Sequence, residues 1–231
     1  MPYRAILIGA TGAVGSALLD ELLAAPLCTG VSVIARRPLD RAPHPKLMLR
    51  IADMNALEAA TNAALAAAGP IDVAFSTLGI GQPRKVAREE FWRVDVELNA
   101  AFARACRARG VRHFSLLSAV GADPRSASYY LRVKGSVEAA VESATFERAS
   151  FFRPSLLVTR QIRYGLQDKL TQALFPRIAP LLPSRFHQIR VEHLARAMRV
   201  NAERPGSGAE VIHYAEAAAL AGTGETVKRG K

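Results

Sequence analysis

Short apolar runs alternate with segments of helical periodicity along most of the chain. Seven apolar runs predict strands, at residues 5–9, 31–35, 46–51, 71–76, 111–117, 150–153 and 210–214. Apolar residues at helical spacing predict helices between them, at residues 13–23, 55–68, 89–109 and 128–143. This alternation is typical of a parallel sheet covered by helices on both faces, so we expect a doubly wound α/β fold of the Rossmann type.

The domain organisation is expected to be simple. Residues 1–231 show no linker-like shift in composition before about residue 155, which favours a single domain. The segment 155–205 is less regular and contains Pro176, Pro180 and Pro183. We interpret that segment as a small lid over the carboxyl edge of the sheet.

A glycine-rich loop joins the first predicted strand to the first predicted helix and has the spacing GxxGxxG. Gly9 would permit a tight turn, Gly12 would let the backbone approach a pyrophosphate, and Gly15 would let the helix pack close to the strand. This order of strand, loop and helix predicts a dinucleotide-binding loop, although a glycine-rich turn without a ligand has the same composition.

The helix that follows this loop offers unpaired N–H groups, at Ala13 and Val14, and a partial positive charge to phosphate. Thr11 could add a hydroxyl donor or cap the helix.

The end of the second predicted strand bears on the choice of cofactor. NAD sites usually have an acid here that binds the ribose hydroxyls, but this chain has Arg36 and Arg37, and its nearest acid is Asp40. Guanidinium groups bind phosphate in a fork, so the pair predicts NADP(H), whose 2′-phosphate it would hold. The alternative is that both arginines are ordinary solvated residues.

Small residues close the fourth predicted strand, at Thr77, Leu78 and Gly79. In a doubly wound sheet this edge lines the ligand crevice, where small residues would leave space for ribose and nicotinamide. A tight loop would show the same composition.

Tyr130 and Lys134 carry the candidate chemistry. Positions i and i+4 share one helix face, so the phenol and the ammonium can converge. Free tyrosine ionises near about pH 10 and is a poor base at neutral pH, but a lysine cation favours its ionised form. Tyr130 would then pass a proton to or from a substrate oxygen.

Ser118 ends the fifth predicted strand and would donate a hydrogen bond to a carbonyl or orient the phenol. The structural alternatives are core packing for Tyr130 and a turn cap for Ser118.

These motifs occur in the order of a known family. The glycine spacing resembles that of extended and atypical short-chain dehydrogenases/reductases. The segments 114–123, 130–138 and 152–154 resemble one branch in particular, the Tat-interacting-protein-like NADP-binding oxidoreductases. The resemblance implies a Rossmann fold, NADPH as cofactor, and Ser118, Tyr130 and Lys134 as the catalytic trio.

The same resemblance assigns three further positions. Asp53 is similar to the family's adenine-contacting acid, although it could equally cap a helix, and Pro154 falls in the family's cofactor-binding segment. Asn99 lies where many relatives have an asparagine that completes a proton relay, and a plain helical asparagine is the alternative. Relatives are often dimers, so a homodimer is a further expectation.

Composition narrows the classes of function. The 31 Lys and Arg exceed the 20 Asp and Glu, for a net charge of +11, but the basic residues form no stripe, so nucleic-acid binding is not expected. No apolar run approaches the roughly 20 residues that cross a bilayer, and no membrane partner is expected. The two cysteines and five histidines lack metal-ligand spacing, which predicts no metal site. The N-terminus lacks the order of a signal peptide, and a cytoplasmic location is expected.

Together these patterns predict an NADP(H)-dependent oxidoreductase that transfers hydride to or from a small carbonyl or alcohol, with Tyr130 as general acid/base. Two alternatives remain open. One is an NADP(H)-sensing regulator without turnover, and the other is an enzyme of the nucleotide-sugar epimerase or dehydratase type.

Overall fold

A computed structural model describes residues 1–158 and 186–223. Nine strands occur in this part of the chain: β1 (Tyr3–Ile8), β2 (Cys28–Ala35), β3 (Leu47–Ile51), β4 (Val73–Ser76), β5 (His113–Leu117), β6 (Arg148–Phe152), β7 (Leu156–Val158), β8 (Gln188–Arg190) and β9 (Gly208–Ile212). Its α-helices are α1 (Ala13–Ala24), α2 (Leu57–Ala68), α3 (Arg88–Trp92), α4 (Leu98–Ala108), α5 (Tyr129–Ser143), α6 (Val191–Ala202) and α7 (Tyr214–Leu220).

Seven of the strands form one parallel sheet in the order β3-β2-β1-β4-β5-β6-β9. The predicted doubly wound α/β fold is therefore confirmed. The chain order reverses between β1 and β4, and in such sheets the ligand crevice lies outside the carboxyl ends of the strands at this point.

Two apolar cores cover the two faces of the sheet. On one face α1, α6 and α7 pack through residues such as Leu18, Leu22 and Met198. On the other face α2, α4 and α5 pack around Phe102, Phe114 and other apolar side chains. Since both faces of the central strands are buried, those strands consist of continuous apolar runs rather than an alternating pattern.

Two elements differ from their predicted form. The second helix is expected to start at Asn55, but Asp53 caps a short 3₁₀ turn (Met54–Ala56), accepting a hydrogen bond from the Asn55 backbone at 2.9 Å, and α2 follows. The helix expected at residues 89–109 consists of α3, a π-helical segment (Arg93–Glu97) and α4. This π-helical segment becomes important at the site.

Part of the predicted lid lies within the body of the fold. Helix α6 belongs to the segment 155–205, yet it packs on α1 and buries Leu194, Ala195 and Met198. Strands β7 and β8 form a separate two-stranded ribbon. The lid hypothesis therefore now concerns only the stretch before β8. Most of that stretch, residues 159–185, lies outside the described residues.

Candidate functional site

The glycine-rich loop is pressed against the end of β4. Gly9 has a φ of +84°, and a Cβ there would lie 2.4 Å from the Thr77 carbonyl carbon. A Cβ on Gly15 would lie 2.2 Å from the Gly9 carbonyl oxygen. Any side chain at either position would separate the loop from the strand or from α1, which explains two of the three glycines.

Helix α1 begins directly after this loop. Gly12, and not Thr11, occupies the N-cap position, so no side chain caps this helix with a hydrogen bond. No acidic residue lies in the first turn. The turn therefore presents N–H groups without a competing carboxylate, which is the arrangement that attracts an anion.

One cleft of about 950 Å³ opens at this edge of the sheet. It brings together ten of the residues predicted for the site: Gly12, Ala13, Val14, Thr77, Leu78, Gly79, Ser118, Tyr130, Lys134 and Pro154. These residues come from five different parts of the chain, and the fold brings them together around one cleft.

The remaining predicted residues lie elsewhere. Thr11 and Arg37 line a second cavity of about 630 Å³, which Gly12 and Ala13 also border. Arg36 lies near Glu90, whose pKa is lowered first by its hydrogen bond with Arg93 and then, more weakly, by the charge of Arg36. Both arginines follow the last residue of β2, and their joint contact with a 2′-phosphate stays a prediction.

Asp53 is exposed, and its carboxylate serves as the cap described above. Its contact with adenine stays a prediction.

Tyr130 stands in the cleft with its hydroxyl free. Its ring stacks on the Phe91 ring at 6.0 Å between centroids and 4° between planes. The Lys134 Nζ lies 6.0 Å from the Tyr130 ring centre. Within the part of the chain that the structure describes, the Tyr130 hydroxyl makes no hydrogen bond, whereas the Tyr129 hydroxyl donates to the Arg88 carbonyl oxygen at 2.8 Å. Of these two tyrosines, Tyr130 is thus the one whose hydroxyl proton is available for a ligand.

Asp95 was missed by the sequence analysis. It lies in the π-helical segment, is 1% exposed, and accepts a hydrogen bond from Lys134 Nζ at 2.7 Å. Its other oxygen accepts from the Ile80 backbone N–H at 2.8 Å. A Cβ on Gly79 would lie 2.9 Å from the first oxygen, so glycine at this position leaves room for the carboxylate.

This carboxylate decides the charge state of the lysine. Burial disfavours the Lys134 ammonium, but the Asp95 charge and its hydrogen bond outweigh burial, and the pKa of Lys134 is raised. Lys134 is therefore a fixed cation at neutral pH, and its charge is balanced by a partner on another helix.

Ser118 is buried, and its hydroxyl proton is already used in a hydrogen bond with another side chain. Its hydroxyl donates to Glu138, since a carboxylate can only accept. Glu138 also accepts from Arg153 Nε at 2.9 Å, and this contact raises the pKa of Arg153. In this arrangement the Ser118 oxygen can accept a hydrogen bond but cannot donate one, which favours its second expected role, orienting the phenol.

Asn99 connects the long helix to the strand beside the cleft. Its amide nitrogen donates to the carbonyl oxygens of Asp95 at 3.0 Å and Leu78 at 3.3 Å, and its amide oxygen accepts from the Ser76 hydroxyl. These bonds hold the π-helical segment against the end of β4, which is a structural role.

Metal sites and membrane spans are absent from the described residues. No group of three or more His, Cys, Asp or Glu side chains is arranged to hold a metal ion there. Nor does any helix in those ranges combine the length and apolar character that spanning a bilayer requires.

Comparisons with known proteins show the family to which the chain belongs. Residues 9–159 match a family model described as NAD(P)H-binding. The chain is 35% identical to protein HTATIP2 of Rattus norvegicus over 204 residues, which cover 87% of this chain and 82% of that protein. It is 34% identical to the mitochondrial protein fmp52 of Emericella nidulans over 155 residues, 65% of each chain. Because fmp52 is described as mitochondrial, the cytoplasmic location stays a prediction.

Solved structures share the fold at low sequence identity. A structure of MoeE5 in complex with UDP-glucose and NAD superposes with a TM-score of 0.68 and 19% identity, covering 94% of this chain and 80% of the other. A UDP-N-acetylglucosamine 4-epimerase from Methanobrevibacter ruminantium M1 gives a TM-score of 0.69 and 16% identity, covering 93% and 77%. The family model, the relatives and the fold lead to one conclusion: the chain belongs to the Tat-interacting-protein-like, NAD(P)H-binding Rossmann family.

Proposed function

We propose that the protein is an NADP(H)-dependent oxidoreductase of the short-chain dehydrogenase/reductase type, acting on a small carbonyl or alcohol. The observation that carries this proposal is the free Tyr130 hydroxyl, which shares one cleft with the Lys134 ammonium and the first turn of α1. A regulator that only senses its cofactor has no need of a proton donor beside a buried cation.

The residues present fit an adenine dinucleotide. The first turn of α1 has unpaired N–H groups and no acid, and Gly9 and Gly15 leave no side chain between loop and strand. Thr77, Leu78 and Gly79 would border the nicotinamide ribose, with Lys134 as its hydrogen-bond donor. Bound NADP(H) supplies the hydride donor or acceptor.

The protein's own contribution is a proton and its control. Tyr130 donates its proton to the substrate oxygen during reduction and takes it back during oxidation. The Lys134 ammonium stabilises the negative charge that the phenol oxygen acquires, and Asp95 holds that ammonium in place. The Ser118 oxygen accepts a hydrogen bond from the phenol or from a substrate hydroxyl.

The deciding experiment removes one hydroxyl. Wild type and Tyr130→Phe are compared on a panel of small aldehydes and ketones, following NADPH absorbance. We expect kcat to fall by about 10²- to 10⁴-fold, with the NADPH dissociation constant changed less than about two-fold. Tyr3→Phe is the matched control, because it removes a buried hydroxyl that bonds Glu203 in another part of the molecule.

Other results would change the conclusion. Turnover that is insensitive to Tyr130→Phe contradicts the mechanism. NADPH binding without turnover on any member of the panel favours the sensing regulator.

We extend the proposal to NADP(H) over NAD(H), because β2 is followed by Arg36 and Arg37 and not by an acid. In the second cavity Arg41 pairs with Asp20, whereas Arg37, beside the glycine loop, has no ion pair within residues 1–158 and 186–223. We expect Arg37→Ala to weaken NADPH by about ten-fold or more and NADH by less than about two-fold. Arg36→Ala tests the neighbouring arginine in the same way, and Arg104→Ala on α4 is the control. Equal losses for both cofactors would reject the phosphate contact.

A second candidate comes from the fold neighbours. MoeE5 is in complex with UDP-glucose and NAD, and the Methanobrevibacter protein is named a UDP-N-acetylglucosamine 4-epimerase. UDP-glucose with NADP⁺ and with NAD⁺ is therefore part of the panel. Turnover of this sugar nucleotide, and of no simple carbonyl compound, would favour the second candidate.

A further inference from the structure

The cleft has a cationic rim next to Tyr130. Arg84 and Arg88, which we call the rim arginines, both line the cleft. Arg84 lies on the connection between β4 and α3, and Arg88 is the first residue of α3. The Arg88 guanidinium carbon is 5.1 Å from the centre of the Tyr129 ring, and the Tyr129 hydroxyl bonds the Arg88 backbone. Arg88 is therefore held against Tyr129, the residue that directly precedes the proposed acid/base, Tyr130.

The charges around the cleft are unbalanced. Of its three lining cations, Lys134 is neutralised by Asp95. Neither rim arginine has an ion pair anywhere in residues 1–158 or 186–223, and no Asp or Glu of those ranges lines the cleft. Neighbouring arginines differ: Arg93 pairs with Glu90, and Arg153 pairs with Glu138.

Two unpaired guanidinium groups beside an apolar wall define the ligand that fits. Guanidinium binds carboxylate or phosphate through paired, charge-assisted hydrogen bonds, and its contact with an aromatic face limits its freedom before binding. Pro83, Val86 and Phe91 supply apolar surface in the same cleft. An uncharged substrate would leave the positive rim without a partner.

We propose that the substrate is an anionic carbonyl compound, whose carbonyl oxygen meets Tyr130 and whose carboxylate or phosphate is held by Arg84 and Arg88. This inference rests on the proposed function, since it places a substrate in the same cleft. It assigns the rim arginines to substrate selection and not to the cofactor.

The test uses two aldehydes that differ in one charge. 4-Carboxybenzaldehyde and its methyl ester are reduced with NADPH by wild type, by Arg88→Gln and by the double variant Arg84→Gln/Arg88→Gln. In wild type we expect kcat/KM for the acid to exceed that for the ester by about ten-fold or more, and the ratio to approach one in the double variant. Arg125→Gln is the control, because Arg125 is an exposed arginine outside the cleft and its loss removes the same charge.

Binding measurements separate this inference from the proposed function. Benzoate and benzamide are titrated by calorimetry into the NADP⁺-loaded protein and its variants. If neither aldehyde is turned over, the proposed function fails, but tighter binding of benzoate that depends on Arg88 still supports the anionic subsite. Equal binding of both ligands, or equal turnover of both aldehydes, overturns the subsite. A loss of NADPH affinity of about ten-fold in Arg88→Gln also overturns it, because the rim would then hold the cofactor.

Discussion

Two polar clusters lie at opposite ends of the sheet's strands, and their difference separates a site from a scaffold. The open cluster comprises Asp95, Tyr130 and Lys134, and its Tyr130 and Lys134 line the cleft. The closed cluster lies at the starts of β5 and β6 and on β9, and it comprises His113, Arg148, Ser150, Asn201 and Glu210.

The closed cluster has the composition of a hydrolytic site without its arrangement. His113 Nε2 lies 2.8 Å from the Ser150 hydroxyl oxygen, and that hydroxyl donates to Glu210 at 2.6 Å. Ser150 is fully buried, and Arg148 and Asn201 complete the contacts with Glu210. Its members hydrogen-bond to one another, whereas the Tyr130 hydroxyl of the open cluster has no partner among the residues that the structure describes. Bonding capacity left over at a cleft, and not residue type, marks the candidate site.

The largest expected effect is on the closed cluster. Arg148→Met removes a buried cation that bonds Glu210, the Asn201 side chain and two backbone carbonyls. We expect the free energy of unfolding to fall by about 3–5 kcal/mol, because polar partners stay buried without it. Urea denaturation measures the loss, and NADPH titration should show an unchanged dissociation constant.

Arg112→Met is the matched control for that variant, since Arg112 forms an exposed ion pair with Asp72 and should cost about 1 kcal/mol or less. A similar loss in both variants would contradict a structural role specific to the closed cluster.

The closed cluster should also respond to acid. Burial, with the nearby Arg148 charge, lowers the pKa of His113 from 6.5 to about 3. The unfolded chain therefore takes up a proton below pH 6.5 while the folded chain does not. His113 contributes its stability above pH 6.5 and loses it as the pH falls toward 3, by about 1.4 kcal/mol per pH unit.

Urea denaturation between pH 7 and pH 4.5 measures this slope in wild type and in His113→Asn. The variant should lose that part of the slope. If both proteins keep the same pH dependence, His113 is not the group responsible.

The smallest expected change in stability belongs to the open cluster. Asp95→Asn keeps the shape of the side chain but leaves the Lys134 ammonium without its counter-ion. We expect the free energy of unfolding to fall by about 1–3 kcal/mol, since the cleft lets water reach the ammonium. Because that ammonium is no longer held in place, turnover should fall by about ten-fold or more, measured by NADPH absorbance.

Asp72→Asn, in an exposed pair with Arg112, is the control and should change neither quantity beyond about 1 kcal/mol or two-fold. Unchanged turnover in Asp95→Asn would remove Asp95 from the mechanism.

Much of the fold was predictable because its signals are local. The glycine loop, the apolar strands and the spacing of Tyr130 and Lys134 each depend on a few neighbouring residues. Helix α6 carries a helical apolar pattern at Val191, Leu194 and Met198, but that pattern lay inside a segment interpreted as a lid.

Asp95 was not predictable in the same way. A single acid in a helix is usually a solvated residue, and nothing near it in the sequence marks it as buried. Its position depends on the π-helical segment and on the packing of α5, which brings Lys134 to it from 39 positions further along the chain. Whether the Ser118 hydroxyl would donate to a substrate could not be predicted for the same reason, because Glu138, which accepts its hydrogen bond, lies on another element.

The π-helical segment also has a consequence for how this family can vary. Such a segment carries one residue more than a regular helix needs, so a single deletion there would yield a continuous α-helix without breaking either flank. Because the extra residue is absorbed inside the segment, α3 and α4 would keep the faces that they present, and the change would fall on the turn that holds Asp95 against Lys134. Losing one codon would thus reach the counter-ion of the cleft's buried cation, while the sheet and the dinucleotide loop stayed as they are.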